Sequence, residues 1–382
     1  HEKPDALFLI TDPRYFEWLF QIENEIRTSI PIAYLNIWDD LPAPMYNREF
    51  YDSCDALFGI SKQTVNINKL VLGKEKSKNK IIKYIPHGLN NQTFRPLADG
   101  DSGLAETKKK INNGVDVDFT LLFNSRNIRR KSIPDTILAW KFFMDTLTKE
   151  EQKKCNFILH TDPVSDAGTD LLAVINFLFP ETGSGNLILS QQKLTRDQLN
   201  QFYNIADGVI LLSSAEGWGL SLTEALLTGT PIIANVTGGM QDQMRFEDKD
   251  GNWIDFDENI PSNHRGTYKT HGEWAFPVYP TSLSLVGSPK TPYIWDDRCT
   301  PEDAAKQIRA LYDMSKKDRK KIGKAGYDWV TSKEAGFTAK FMGDRVIEGM
   351  DELFSKFKPR KSFTFTKDTD KQRKVLNHKL IY

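Results

Sequence analysis

Short apolar runs alternate with polar turns and with segments of helical apolar spacing along most of the chain. Segments 133–147 and 194–205 repeat apolar residues at the intervals of an amphipathic helix. Apolar strands separated by helices are typical of a parallel sheet that is covered on both faces. The pattern therefore predicts an α/β fold with parallel strands at 6–10, 32–37, 56–60, 81–85, 119–124, 157–161, 187–190, 208–213 and 232–235.

These predicted strands outnumber those of one ordinary doubly wound sheet, and 382 residues suit two domains. We place the boundary after Pro86-His87-Gly88, where a polar stretch with little apolar periodicity begins. That stretch predicts a linker with a loop or a short helix. The predicted organisation is an N-terminal domain at 1–88, a linker at 89–117, a C-terminal domain at 118–330, and helices with a basic tail at 331–382 that pack back on the first domain.

Residues 240–298 break the regular rhythm and are rich in Gly, Pro, Asp and aromatic residues. We read them as a long insertion in the C-terminal domain. Long connections are often lids or binding loops, but an irregular subdomain packed by its own aromatic residues is an equal alternative. The basic tail after Pro359 is either an exposed terminus or a contact for anionic lipid or a partner.

Composition excludes several classes of protein. The 39% apolar and 27% charged fractions are those of a soluble globular protein. Basic and acidic residues number 51 each, so no global field attracts nucleic acid, and we expect no nucleic-acid partner. Cys54, Cys155 and Cys299 are far apart and form no metal-like spacing, which favours a reducing compartment and a cytoplasmic location.

The segment 209–239 combines a strand, a Gly-rich loop, a helix, a second strand and a second Gly-rich loop. Gly217 and Gly219 flank Trp218, just before a helix predicted to begin near Leu220. Glycine permits the close backbone approach that a phosphate-binding loop needs, and the N-terminus of a helix favours an anion. The segment therefore predicts a binding site for a diphosphate.

Two glutamates bracket this loop. Glu216 precedes it, and Glu224 lies about one turn inside the predicted helix. Carboxylates in these places can accept hydrogen bonds from sugar and ribose hydroxyls. The alternative, that both are ordinary exposed surface residues, explains poorly why they enclose G-W-G directly after an apolar strand.

This stretch resembles the donor-binding motif of the family 4 retaining glycosyltransferases, in which two glutamates enclose seven residues that include G-F-G. Trp218 stands where the family usually has Phe. The resemblance implies the GT-B fold, in which two Rossmann-like domains with parallel sheets face a central cleft. It implies that Glu216 contacts the donor sugar and that Glu224 binds the ribose. The other expected donor-binding residues are Gly217, Trp218, Gly219, Leu220, Ser125, Gly238 and Gly239.

A basic segment follows the predicted strand at 119–124. Cations at the carboxyl end of a strand are placed for anions in the crevice of an open α/β sheet. They can neutralise the charge that develops on a departing diphosphate. The resemblance implies that an Arg and a Lys five residues later have this role, and Arg126 and Lys131 match the spacing. The alternative is an exposed basic turn.

The first domain departs from the family pattern. Only about four strands precede the crossing at Pro86, and the chain begins with His1, so we expect this domain to lack its first strands. The family commonly places a His near the reacting carbon, whereas segment 32–42 has none. Asp39 or Asp40 could orient the acceptor hydroxyl or take its proton, unless they only form a turn. The weaker candidates are His87, His160 and His271.

The first hypothesis is a retaining glycosyltransferase that moves a sugar from a nucleotide diphosphate to an acceptor hydroxyl. The catalytic candidates are Glu216, Arg126, Lys131 and Asp39. No Asp-x-Asp pattern ends a predicted strand, so we expect neither a metal nor a cofactor. The acceptor (glycan, lipid, protein or small molecule), any peripheral membrane contact and the oligomeric state stay open. The second hypothesis is a non-catalytic nucleotide-sugar-binding subunit that needs a partner to complete its acceptor site; a nucleotide-sugar epimerase or a phosphorylase is a third.

Overall fold

The computed structural model describes residues 3–180, 186–260 and 262–361. Its first sheet contains β1 (Leu7–Ile10), β2 (Ile32–Asn36), β3 (Ala56–Gly59) and β4 (Ile81–Tyr84). Its second sheet contains β5 (Phe119–Asn124), β6 (Cys155–His160), β7 (Leu187–Ser190), β8 (Gly208–Leu211), β9 (Ile232–Asn235) and β10 (Ala275–Val278). A hairpin follows, formed by β11 (Ser282–Ser288) and β12 (Thr291–Arg298).

Helices connect and cover the two sheets. The α-helices up to β5 are α1 (Glu17–Phe20), α2 (Glu23–Ile26), α3 (Arg48–Asp52), α4 (Lys62–Leu72), α5 (Lys74–Ser77) and α6 (Ser102–Asn112). Those among the strands of the second sheet are α7 (Ile133–Asp145), α8 (Lys149–Gln152), α9 (Leu171–Leu178), α10 (Arg196–Ile205), α11 (Leu220–Leu227) and α12 (Met240–Met244). The last three are α13 (Pro301–Asp313), α14 (Lys316–Val330) and α15 (Ala339–Lys356). Short 3₁₀ helices lie at Pro13–Phe16, Met45–Asn47 and Arg129–Lys131.

Both sheets are parallel throughout. The first has the order β1-β2-β3-β4, and the second has the order β10-β9-β8-β5-β6-β7. The chain therefore reverses its direction of winding between β5 and β8, and a crevice opens outside the carboxyl ends of these strands. The result is the predicted α/β architecture of two parallel-sheet domains. The nine predicted strands end within about two residues of the observed ones, which is the usual uncertainty of strand boundaries.

Strand side chains are buried on both faces of the first sheet. Tyr34 and Leu57 belong to a core of their own under α3 and α4, whereas Leu35 and Phe58 join the large core of the second sheet. Successive residues of a strand point to opposite faces, so this division follows directly from the sequence. Burial on both faces explains why the runs are apolar without alternation.

The stretch 240–298 is more than an insertion. It supplies β10, which pairs with β9 at the edge of the second sheet. The insertion at 240–298 therefore contributes an edge strand that the sequence pattern did not predict. Pro277 lacks a backbone N–H and argues against a strand in the sequence, but the edge position leaves one side of β10 without a partner strand.

The hairpin β11–β12 crosses to the first domain. Tyr46 Oη donates to Tyr293 O at 2.9 Å, and Trp295 N donates to Leu41 O at 2.8 Å. The start of the linker is also joined to the segment before α15, since Leu89 N donates to Phe337 O and Ala339 N donates to Leu89 O. The two halves of the chain are thus joined at several places.

The predicted linker and the last helix also have defined positions. The stretch 89–117 contains α6, whose Thr107 Oγ1 donates to Gln201 Oε1 on α10 at 2.7 Å. Helix α15 packs on the first sheet, where Gly349 lies against the ring of Phe58. Of the basic tail, residues 362–382 lie outside the described residues. Within the described part, no helix is both long enough and apolar enough to cross a membrane.

Candidate active site

A cleft of about 600 Å³ lies between the two domains, at the carboxyl ends of both sheets. The first domain contributes Ile37, Asp39, Ile60 and His87 to its wall. The second domain contributes the basic segment after β5, the loop after β8 and the first turn of α11. The predicted site residues that line this cleft are Asp39, Ser125, Arg126, Lys131, Glu216, Gly217, Trp218, Gly219, Leu220 and Glu224.

The loop after β8 turns into α11 at Gly219, whose φ of 86° lies in the left-handed region that glycine adopts at no steric cost. No side chain caps the N-terminus of α11, and Leu220 and Ser221 of its first turn line the cleft. Free N–H groups and the positive end of the helix dipole therefore face the cleft. This end of the cleft is suited to a phosphate group.

Glu216 is held by two cations. Its Oε2 accepts from Lys131 Nζ, from Arg130 Nη1 at 2.9 Å and from Ser213 Oγ at 3.2 Å. Burial opposes ionisation, but the charges of Lys131 and Arg130 outweigh it and lower the pKa of the carboxyl to about 2. Glu216 is therefore an anion at neutral pH. The same burial lowers the pKa of Lys131, which the carboxylate partly offsets.

Glu224 has no cationic partner among the described residues. Its Oε2 accepts from Tyr203 Oη and from Asn124 Nδ2 at 3.3 Å. Burial raises the pKa of this carboxyl to about 7, although the two hydrogen bonds act in the opposite direction. The two glutamates of the motif thus have opposite electrostatic environments.

The cations of the basic segment occupy two kinds of position. Lys131 and Arg130 both reach Glu216, whereas Arg126 is exposed at the rim and has no carboxylate partner among the described residues. Sequence reasoning did not single out Arg130. The 3₁₀ helix Arg129–Lys131 decides which of these consecutive cations point inward, and no sequence pattern reveals that direction.

Asp39 approaches the motif from the first domain. Its Oδ1 accepts from Gly217 N at 3.1 Å, and its Oδ2 lies 3.5 Å from Arg130 Nε. Burial raises the pKa of Asp39, and Arg130 opposes that rise. Asp40 is completely buried and does not line the cleft, so the suggestion that it could reach an acceptor was wrong. The turn after β2 directs neighbouring side chains to opposite sides.

Gly238 and Gly239 do not line the cleft, contrary to the prediction of direct donor contacts. They pack behind its wall, where a Cβ on Gly238 would lie 2.1 Å from Glu216 O and one on Gly239 would lie 2.0 Å from Gly217 O. Gly239 N donates to Glu216 O at 2.9 Å. The second Gly-rich loop therefore supports the first one instead of facing a ligand.

Trp218 and two of the three candidate histidines line the cleft. The Trp218 ring is buried beside Phe337 and His87, with Nε1 donating to Thr223 Oγ1 at 2.9 Å. His87 and His160 line the cleft, and burial lowers the pKa of both. His271 lies outside the cleft wall, against Phe246.

Two α/β domains, each with a parallel sheet, that face each other across a cleft define the GT-B fold class. Solved structures with this fold include HepE of Anabaena in complex with UDP and glucose, with a TM-score of 0.63, 13% identity, and coverage of 91% of this chain and 78% of that one. Sucrose-phosphate synthase of Thermosynechococcus elongatus has a TM-score of 0.60 and 18% identity, with 92% of this chain and 74% of that chain covered. These likenesses establish the fold.

Sequence comparison agrees with the motif. Residues 181–262 match the family of glycosyl transferases group 1, which confirms the predicted resemblance. A D-inositol 3-phosphate glycosyltransferase of Frankia alni is 25% identical over 160 residues, which are 42% of this chain and 37% of that protein. An uncharacterized glycosyltransferase of Methanocaldococcus jannaschii is 29% identical over 105 residues, covering 26% of this chain and 25% of that protein. The matched segments thus span well under half of these relatives.

Proposed function

We propose that the protein is a retaining glycosyltransferase that moves a sugar from a nucleotide-diphosphate sugar to an acceptor hydroxyl without a divalent metal. The observation that carries the proposal is the convergence of Glu216, Glu224, Arg126 and Lys131 on one cleft at the domain junction. The first domain also reaches the cleft through Asp39, which argues against a binding subunit with an unusable acceptor side.

The diphosphate fits the part of the cleft between the N-terminus of α11 and the basic segment. Lys131 and Arg126 would neutralise the charge that develops as the bond between the sugar and the diphosphate breaks. Arg130 differs from Lys131 in contacting two carboxylates, Glu216 and Asp39, and it links them across the cleft. Among the described residues, no group of acidic, His and Cys side chains is arranged to hold a metal ion.

The sugar and ribose positions follow from the two carboxyl groups. Glu216, ionised and fixed by Lys131, would accept hydrogen bonds from sugar hydroxyls. Glu224, one turn after the start of α11, would accept hydrogen bonds from the ribose hydroxyls. The acceptor hydroxyl would form its bond on the face from which the diphosphate leaves, which gives retention. Its proton would pass to the departing diphosphate oxygen, and Asp39 would orient the hydroxyl.

A thermal-shift panel with UDP-, GDP- and ADP-sugars tests the donor site, because a bound ligand raises the melting temperature by mass action. We expect one nucleotide series to stabilise the wild type and to stabilise Arg126→Ala much less. Arg129→Ala is the matched control, since Arg129 is also exposed but does not line the cleft. Equal losses in both variants would contradict the assignment of Arg126.

Turnover is tested by hydrolysis of the donor that responds in this panel, and then by transfer to candidate acceptors. We expect slow hydrolysis that Glu216→Ala eliminates and that a chelator leaves unchanged. Binding without turnover on any acceptor would contradict the enzyme, and loss of turnover with chelator would contradict the metal-free mechanism.

A further inference from the structure

A cluster of polar side chains joins the two domains behind the cleft wall. Thr237 Oγ1 lies 3.0 Å from Asp40 Oδ2 and 2.6 Å from Asp297 Oδ2. Asp40 follows β2, Thr237 follows β9, and Asp297 belongs to β12. All three side chains are buried and none lines the cleft, so the proposed reaction does not use them directly.

The Thr237 hydroxyl lies between two carboxyl groups. A hydroxyl group carries one hydrogen and can donate to only one of the two carboxyl groups. The other contact is a hydrogen bond only if that carboxyl is protonated and donates to the Thr237 oxygen. Asp297 Oδ2 also accepts from Ser262 Oγ at 2.5 Å, which favours the ionised form for Asp297. A proton on Asp40 therefore completes a chain from Asp40 to Thr237 to Asp297.

The surroundings favour a single charge on this pair. Burial raises the pKa of Asp40 well above its usual range, and the nearby Asp297 carboxyl adds to the rise. Burial also raises the pKa of Asp297, although hydrogen bonds from Ser262, Thr237 and Asn263 oppose it. Gln63 on α4, which donates to Asp40 Oδ1 at 2.5 Å, is neutral.

Other charges near the pair already have partners. Asp39, the next residue in the loop after β2, pairs with Arg130. Asp296, adjacent in β12, pairs with Arg298. Within the described residues, no cation pairs with Asp40 or Asp297, and Asp40 Oδ1 accepts only from neutral donors, Leu41 N and Gln63 Nε2, so no positive charge compensates a second negative one.

We propose that Asp40, Thr237 and Asp297 form a bridge with one shared proton that positions the loops of the cleft. Asp40 adjoins Asp39, and Asp297 N donates to Ser214 O in the loop that carries Glu216. Thr237 adjoins Gly238, where an added Cβ would lie 2.1 Å from Glu216 O and 2.9 Å from Asp39 O. The catalytic consequence rests on the proposed function, whereas the bridge itself does not.

Loss of the shared proton would leave both Asp40 and Asp297 ionised, with the single Thr237 hydroxyl between them. Thr237 could then satisfy only one of them, and the loop that carries Asp39 would separate from the loop that carries Gly217. A pKa raised in the folded state means that folding takes up a proton, so stability falls as pH rises from the usual Asp pKa to the raised one. Donor binding, which depends on the second domain, should change less than turnover.

The test compares melting temperatures between pH 5 and pH 9 for the wild type and for Asp40→Asn. The amide of Asn can donate to Thr237 in place of the proton. We expect the stability of the variant relative to the wild type to increase as pH rises. The ratio of their folding equilibrium constants should grow by up to about tenfold per pH unit. If Asp40→Asn does not fold, Asp297→Asn removes the other charge and should flatten the same pH dependence.

Asp296→Asn is the matched control, because it makes the same change in the same strand at a carboxylate that pairs with Arg298. Its melting temperature should keep a constant offset from the wild type. A constant offset for both Asp40→Asn and Asp297→Asn would overturn the bridge. This measurement needs no substrate. A pH-dependent increase in the relative stability of Asp40→Asn, found together with an absence of turnover, would contradict the proposed function and still support the bridge.

With an identified acceptor, the pH profile of turnover gives a second readout. We expect the alkaline limb of kcat in Asp40→Asn to move to higher pH, while the donor Kd keeps the pH dependence of the wild type. Thr237→Val, which is nearly isosteric but cannot bridge, should lower kcat more than it changes the donor Kd. An unchanged alkaline limb in Asp40→Asn would overturn the positioning role.

Discussion

Replacement of Glu224 by Gln should raise the stability of the ligand-free protein and lower its affinity for the donor. Burial raises the pKa of Glu224 from its usual 4.5 to about 7, so above pH 7 the folded chain keeps a carboxylate where a neutral group is favoured. This rise corresponds to about 3 kcal/mol. The cost is nearly absent below pH 4.5, grows as pH rises, and is complete above pH 7.

Gln removes the charge and keeps an oxygen that can accept from Tyr203 and Asn124. We therefore expect Glu224→Gln to melt at a temperature up to about 4 °C higher than the wild type at pH 8, with a much smaller gain at pH 5, because the unfolding entropy of 382 residues is large. Differential scanning fluorimetry at the two pH values measures this difference. The donor Kd at pH 8 should rise about 10- to 100-fold, because a hydrogen bond to a charged acceptor is lost.

Glu216→Gln is the contrasting variant. The pKa of Glu216 is lowered to about 2, so its charge stabilises the fold above the usual carboxyl pKa and this stabilisation is lost only as pH falls toward 2. The variant should be destabilised at both pH 5 and pH 8, because Lys131 and Arg130 lose their partner. Equal melting gains for Glu224→Gln at the two pH values, or a loss at pH 8, would refute the reasoning about burial.

Three further predictions concern the cleft and the loop that supports its wall. Lys131→Met should lower kcat by about 10²–10³-fold in a transfer assay, as expected for loss of a group that stabilises developing charge; a loss below tenfold would contradict this role. Asp39→Asn should lower kcat with a donor Kd within about twofold of the wild type, and an equal effect on both would place Asp39 in donor binding. Gly239→Ala should lower the melting temperature, because its Cβ would lie 2.0 Å from Gly217 O; the control Gly343→Ala on α15, which has open space around it and gains helix propensity, should not lower it.

Much of the fold follows from local sequence because its strands are buried on both faces. Continuous apolar runs, such as the one that forms β5, can satisfy their surroundings only inside a covered parallel sheet. The Gly-rich loop before α11 was equally readable, since Gly219 adopts a conformation that few other residues tolerate. These features depend on neighbours in the chain, which the sequence displays directly.

The direction of side chains in turns was not readable. Arg126 and Lys131 were chosen by spacing, yet Arg130 is the residue that joins Lys131 at Glu216. A short 3₁₀ turn rotates each successive side chain by a large angle, so a small change in the turn exchanges which cation faces inward. Asp39 and Asp40 divide between the cleft and the buried bridge in a similar way.

The sequence by itself determined the parallel α/β architecture, and it predicted the Gly-rich loop at the cleft and the two glutamates that bracket it. Only the tertiary structure decided that Glu216 is an anion held by cations while Glu224 is a carboxyl with a raised pKa. It also decided that Asp40 and Asp297, far apart in the chain, meet at one hydroxyl group. The physical reason is that charge and burial are set by groups from distant segments, whereas the backbone pattern is set by neighbours in the sequence.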